Sequence, residues 1–186
     1  MVWEERCQNI NPLNKITYMN EIWFLLIFFF SFSLYYVLKN RFAIFFPSSK
    51  KIIEVVLEFA DIRKNDVFYD LGSGDGRILV EVAKKKISVV GIEKNKFLNW
   101  VTKRKIRRLK LNNVKIIQGN IFDQDISRAT IIVAYLSLSL AHRLQKKIEK
   151  EVKKGTKIIL IDHYFKDWKP VKQKKVGFIP VRLYLK

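Results

Sequence analysis

At 186 residues the chain has room for one domain of ordinary size and an appendage. With 49% hydrophobic and 28% charged residues it is neither disordered nor collagen-like, and its single cysteine, Cys7, excludes a disulfide framework and a cysteine-based zinc site. Lys and Arg number 36 against 17 acids, a formal +19, but 26 of the 36 are Lys beside much Ile, Asn and Phe, the mixture of an AT-rich genome. Charge alone therefore does not designate a nucleic-acid binder.

Residues 1–38 carry two basic groups and three acids, whereas 39–186 carry 34 and 14. Two compositionally different pieces, 1–46 and 47–186, are joined. In the first, Ile22–Leu38 reads IWFLLIFFFSFSLYYVL, seventeen residues without charge, Gly or Pro. At ~1.5 Å per residue it is near the lower limit for crossing a ~30 Å hydrocarbon core. Tyr18, Trp23, Tyr35 and Tyr36 stand near its ends, where amphipathic rings prefer the interface. A cleaved signal peptide fits poorly, because the region before the span is acidic and LKNRF offers no small-residue cleavage site. The expectation is one transmembrane anchor, about 22–38. Lys39, Arg41, Lys50 and Lys51 would put the C-terminal side in the cytoplasm, a single-pass arrangement.

After Phe42–Phe46, an expected interfacial strip, Pro47-Ser48-Ser49 starts a helix with an apolar stripe at Ile52, Ile53, Val56, Leu57 and Ala60. Val67–Leu71 predicts a buried strand, Gly72–Gly76 a tight turn, and Arg77–Lys85 a helix. Ser88–Ile92 is a second strand ending in Glu93. A helix from about Asn95 to Leu111 closes at Asn112-Asn113, residues that tolerate a left-handed cap. Val114–Gln118, Thr130–Ala134 and Lys157–Ile161 complete five strands, with a helix marked by Leu140, Leu144, Ile148 and Val152. Val171–Val176 and Pro180–Leu185 predict a terminal antiparallel hairpin. Strands alternating with helices imply an α/β fold, a doubly wound Rossmann-like sheet.

Chemistry concentrates in Asp70-Leu-Gly72-Ser-Gly74-Asp-Gly76, between a strand and a helix. Glycines let backbone approach a ligand where a Cβ would clash. The dinucleotide fingerprint places its third glycine five residues after the first; here it comes after four, and no G-K-[ST] of a P-loop follows. An acid before the first glycine repels a pyrophosphate and suits a ligand carrying an amine and a sulfonium. Glu93, 21 residues after Gly72, stands where an acid accepts hydrogen bonds from ribose.

With Tyr69–Arg77, Gly91-Ile-Glu93, Phe46-Pro47-Ser48, Gly119-Asn-Ile-Phe122, Tyr135-Leu136, Lys154-Gly155 and Trp168-Lys-Pro170 in place, the chain resembles the class I S-adenosylmethionine-dependent methyltransferases over roughly residues 46–186. More narrowly it resembles the small protein-lysine methyltransferases, a family with a broad-specificity archaeal enzyme and membrane-anchored mitochondrial enzymes acting on the ATP-synthase c-subunit and the adenine-nucleotide translocase. The resemblance implies a seven-stranded methyltransferase sheet and S-adenosyl-L-methionine as cofactor. Asp70, Gly72, Gly74 and Gly76 would hold its methionine part, Glu93 its ribose, and Asn120 its adenine, although Asn120 is as readily a turn residue. Tyr135-Leu136 replaces the N/D-P-P-Y of enzymes acting on planar amines, which argues against adenine or glutamine amide methylation.

Methyl transfer is an in-line displacement, so the protein mainly aligns donor and nucleophile and excludes water. A lysine, pKa ~10.4 in water, must lose its proton, which an apolar aromatic slot favours. Tyr135 and Trp168 are the candidate channel residues, with His163 and Tyr164 nearby in sequence; Trp168 reads equally as packing. His142 and His163 read as ordinary hydrogen-bonded or surface histidines, and no His/Asp/Glu cluster suggests a metal site. On the long basic helix Lys103, Arg104, Arg107 and Lys110 share one side, either solvated or resting on anionic lipid, while Lys105 falls inside the apolar stripe without explanation. The expected function is protein-lysine N-methylation at a membrane surface, with a membrane-associated protein substrate. The alternatives are an RNA methyltransferase of the same fold, disfavoured by the lack of an interleaved aromatic platform, and a catalytically silent membrane scaffold.

Overall fold

The computed structural model describes residues 12–40 and 47–186, with side chains described for 19–35 and 47–186. The chain divides into two units, Met1–Ile44 and Phe45–Lys186.

In the first unit, helix α1 runs Pro12–Asn40. Its side chains from 19 to 35 are all exposed, with Trp23 at 59%, Phe24 at 74% and Phe30 at 72%. The expected transmembrane anchor at about 22–38 is nonetheless not supported, for among the described residues no helix is long and apolar enough to cross a membrane. The physical reason is length: seventeen charge-free residues at ~1.5 Å each reach about 25 Å, short of a ~30 Å core, and Glu21 and Lys39 bound the stretch. The strip Phe42–Phe46 lies outside the described residues, as do the side chains of Tyr18, Tyr36, Lys39 and Arg41.

In the second unit, α2 (Lys50–Ala60) begins where Ser49 Oγ accepts from the amide of Ile52 at 3.4 Å, a serine N-cap. It ends at Asp61, φ 39°, where Lys157 Nζ donates to the carbonyls of Ala60 (2.7 Å) and Asp61 (2.9 Å). Then follow β1 (Val67–Leu71), α3 (Arg77–Ala83), β2 (Ser88–Glu93), α4 (Lys96–Arg108), β3 (Val114–Gln118), β4 (Ile131–Ala134), α5 (Leu138–Glu151), β5 (Lys157–Ile161), β6 (Lys172–Val176) and β7 (Ile179–Leu185). The seven strands form one sheet in the order β3-β2-β1-β4-β5-β7-β6. The first five are parallel, and β7 runs antiparallel between β5 and β6. This is the doubly wound sheet with a terminal hairpin that the strand pattern predicts.

Alternate residues of each strand feed two cores, as the period of two requires. Ile131, Val133, Ile159 and Ile161 face one core with α2 and α3; Ile132, Ala134, Ile158 and Leu160 face the other with α5. Each fully buried Ile, Leu or Phe contributes roughly 1.5–3 kcal/mol of transfer free energy. Helix α4 ends differently from expectation: Lys110, φ 52°, takes the left-handed position. Asn113 does something else, donating from Nδ2 to the carbonyls of Ala83 (2.9 Å) and Ile87 (2.6 Å), which ties the β3 entrance to the end of α3.

Strand order reverses between β1 and β4, so a crevice opens at their carboxyl ends, where doubly wound sheets bind ligands.

Candidate active site

The turn after β1 is built by three glycines at positive φ: Gly72 (85°), Gly74 (55°) and Gly76 (75°). Gly76 has a second constraint, because a Cβ there would overlap the Cγ2 of Thr102 on α4. Thr102 is fully buried, and its hydroxyl donates to the Gly74 carbonyl at 3.1 Å. The turn is pinned to β2 by the amides of Gly72 and Ser73, which both donate to the Ile92 carbonyl (2.8 and 3.1 Å).

Glu93 caps this arrangement. One carboxylate oxygen accepts from the amide of Gly74 (2.9 Å) and the other from that of Asn95 (2.7 Å). Its carbonyl accepts from Asn99 Nδ2 (2.8 Å) and from the Gly119 amide (3.0 Å). The structure thus brings Asp70, the three glycines and Glu93 together, and sets Asn120 beside them at the end of β3. Asn120 is exposed and uses its side-chain oxygen on the Phe122 amide (3.2 Å), the Asx turn that was the plainer of its two readings.

Asp70 is 3% exposed and, among the described residues, no hydrogen bond reaches its carboxylate. Burial, then the charges of Glu93 and Asp75, push its carboxyl up to about 8. An unpartnered buried acid costs free energy unless a cation meets it. Ser73 Oγ and Asn99 Oδ1, buried in the same turn and the helix behind it, also lack partners. A side-chain-free cradle with an acid waiting for positive charge and a second acid poised for a diol fits S-adenosylmethionine.

Sequence reasoning misses the support of the turn. Asp75 accepts from Arg77 Nε (3.0 Å) and Nη2 (3.1 Å) and from Lys105 Nζ (2.7 Å), which also reaches the Asp75 carbonyl (2.8 Å). Burial opposes its ionisation, but these hydrogen bonds outweigh it and hold the carboxyl down to about 2. Lys105 sits inside the apolar stripe because its stem crosses the buried face of α4 to this carboxylate. Arg77 Nη1 continues to the Ser48 carbonyl (2.9 Å), tying the entrance of α2 to the turn.

The register places Leu71, Ala134 and Leu160 in one row across β1, β4 and β5. At ~4.8 Å per strand, Tyr135 leaves the sheet about 5 Å from Gly72, and Asp162 lies beyond it above β5. Tyr135 is half-buried; burial and then the charge of Asp162 push its hydroxyl up. Asp162 itself takes φ 76°, a conformation rare for a non-glycine residue, held by its amide on the Pro180 carbonyl (2.8 Å) and by Arg182 Nη1 on its own carbonyl (3.0 Å). His163 Nε2 stands 3.6 Å from its carboxylate. Asp162 is thereby a candidate site residue, one that the sequence signals only as an acid at a strand end.

Trp168 is not among them. Its ring packs on Phe165 (5.3 Å) and Tyr184 (6.5 Å), with Lys186 Nζ 5.8 Å above it, in a recess shared with Lys154 and Leu185. Leu185 pairs with Lys157 at the start of β5, so this recess lies at the opposite edge of the sheet, about 13 Å down the strand from the crevice. The segment after β5 descends across the sheet face before β6 begins, which carries Trp168 away from Tyr135.

The fold and crevice define an S-adenosylmethionine-dependent methyltransferase. The chain belongs to the family described as the ANTKMT methyltransferase domain, which matches residues 70–172. It is 34% identical over 138 residues to a protein-lysine N-methyltransferase of Saccharolobus islandicus, covering 70% of this chain and 83% of that one. It is 29% identical over 127 residues to the human lysine N-methyltransferase of the ATP-synthase c-subunit, covering 68% of this chain but 54% of the human protein. Among solved structures it is similar to an RNA methyltransferase from Salinibacter ruber in complex with S-adenosyl-L-homocysteine, with TM-score 0.73, 30% identity, and 75% and 93% of the two chains covered. The silent scaffold is thereby set aside.

Proposed function

We propose that this chain is a protein-lysine N-methyltransferase acting at a membrane surface by in-line methyl transfer to a deprotonated lysine amine. The observation that carries the reading is the pair of Tyr135 and Asp162 beside the turn, a phenol and a carboxylate at the mouth of the crevice. Bound S-adenosylmethionine supplies an electrophilic methyl group on a sulfonium. Asp70 meets the positive charge of the methionine end, and Glu93, already oriented by two amides, accepts from the ribose diol. Asp162 draws in the substrate ammonium; Tyr135, kept protonated, narrows the slot. As the amine passes Asp162 and enters the slot, loss of solvent favours its neutral form and its proton passes to water at the mouth, leaving the lone pair free to form the N–C bond as the methyl–sulfur bond breaks. A net-positive domain repels lysine-rich tails, so acidic or membrane-embedded proteins are the preferred partners.

Tritiated S-adenosylmethionine with membrane proteins, followed by mass spectrometry of the labelled residue, tests this reading. Label on lysine ε-nitrogen that survives RNase supports it; label removed by RNase refutes it in favour of RNA methylation. That second reading draws on the likeness to the Salinibacter RNA methyltransferase and on the exposed, stacked rings of Phe97 and Trp100 among the cations of α4, an aromatic pair that the sequence pattern did not reveal. For location, the exposed rings of α1 support attachment to a membrane surface, and the following Lys39, Arg41, Lys50 and Lys51 favour the acidic cytoplasmic leaflet. Recovery of the full chain in the high-speed supernatant of cell lysate would exclude it.

A further inference from the structure

Helix α4 and the start of β3 carry nine cations between Lys94 and Lys115 and no acid. Among the described residues only Lys105 of these is paired with a carboxylate. The unpaired cations surround two rings with no place in the core: Phe97 is 66% exposed and Trp100 54%. The rings stack at 5.9 Å, and the Arg104 guanidinium lies 5.2 Å above the indole. At ~100° per residue Phe97, Trp100, Arg104 and Arg107 occupy one side of α4, opposite the buried Thr102. Towards the end of the helix, between α4 and edge strand β3, a groove of about 510 Å³ has an apolar floor of Ile106, Leu111 and Ile116 under Lys103, Arg107 and Lys110.

We propose that this face of α4 docks on an anionic phospholipid bilayer, with Phe97 and Trp100 at the headgroup level, the cations on phosphates, and the groove receiving a lipid whose acyl chain lies on the apolar floor. The Trp100 indole, apolar in body with one N–H, favours that depth, the Phe97 ring adds apolar area beneath it, and juxtaposed basic residues are drawn to acidic leaflets. An exposed stacked ring pair hemmed by cations without counter-charges is unfavourable in water and is relieved at such a surface. A solvated face needs no such rings. Because α4 starts three residues after Glu93, docking fixes how the cofactor crevice meets the membrane.

The surface deepens the membrane placement above, and its readout is local: α1 alone could hold the chain on vesicles without bringing Trp100 to lipid. The test uses the full chain with phosphatidylcholine vesicles containing phosphatidylglycerol and brominated acyl chains. Trp100 is isolated among the four tryptophans by difference against Trp100→Phe. The expected result is quenching of Trp100 on acidic but not on neutral vesicles, reversed by salt. Lys103→Ala with Arg107→Ala should weaken it by about 25-fold, at roughly fivefold for each cation near the surface, while S-adenosylhomocysteine binding is unchanged and reports an intact fold. Trp100 left unquenched on sedimented vesicles, or quenched equally by neutral ones, overturns the proposal. So does a Trp100 response to single-stranded RNA without a response to vesicles, or its protection by self-association.

Discussion

The carboxyl of Asp70 links cofactor binding to protons. Held near pH 8 in the cofactor-free protein, it is about nine-tenths protonated at pH 7, whereas the positive end of the cofactor stabilises the carboxylate. Binding therefore releases close to one proton, and affinity rises with pH until about 8. Between pH 5.5 and 7.5, where the α-ammonium of the ligand stays largely charged, the dissociation constant should fall about 75-fold. Calorimetry with S-adenosylhomocysteine in buffers of different ionisation enthalpy measures both quantities. In Asp70→Asn the slope should flatten and the proton release vanish. Stability moves the other way. The folded protein holds a proton that the unfolded chain has lost, so Asp70 costs stability increasingly as pH rises from about 4 to 8. Cofactor-free Asp70→Asn should therefore melt higher than wild type at pH 8, with the gap narrowing towards pH 5. A dissociation constant independent of pH in wild type, or an unchanged slope in Asp70→Asn, refutes the reasoning.

Gly76→Ala combines a left-handed φ with overlap on Thr102 and should destabilise by about 2–4 kcal/mol in thermal unfolding; adding Thr102→Ser, which removes the Cγ2 contact but keeps the hydroxyl, should recover only part of that loss. Lys105→Met removes one of two cations from Asp75. It should cost about 1 kcal/mol at pH 7, an effect that disappears as pH falls through about 2, where Asp75 protonates in wild type too. Trp168→Ala should lower the melting temperature through lost packing on Phe165 and Tyr184 while leaving kcat/KM for the protein substrate within twofold; a large selective loss in kcat/KM would return Trp168 to the channel. Asp162→Asn should raise KM for the protein substrate at least tenfold with cofactor affinity unchanged, measured by methyl transfer and calorimetry side by side.

Much of the cofactor side was legible because its requirements are local in sequence. Three glycines, an acid before them and an acid ending the next strand lie within 24 residues, and each answers to backbone geometry or charge at its own position. The hairpin was legible for the same reason, as two strand-like runs flank Gly177. What stayed hidden depends on contacts between distant segments. Lys105 looks misplaced until Asp75, thirty residues earlier, is folded against it. Thr102 explains Gly76 only across the turn. Trp168 read as a channel residue because it follows β5, but sequence distance does not show that the chain has by then crossed to the other edge. Phe97 and Trp100 escaped notice because rings on an amphipathic helix usually belong to a core, whereas here the buried face is taken by Asn99 and Thr102.

The sheet ends in β3 on one side and β6 on the other, and both outermost strands leave backbone groups without a neighbouring strand. β6 reads Lys-Gln-Lys-Lys-Val, its first four residues exposed, and β3 carries the exposed Lys115. A second chain adding a strand at β6 would bring its charges against Lys172 and Lys175, and one adding at β3 would meet Lys115. Lysines at these margins thus guard a seven-stranded, strongly apolar sheet against fibrous growth, at no cost to the packing within it.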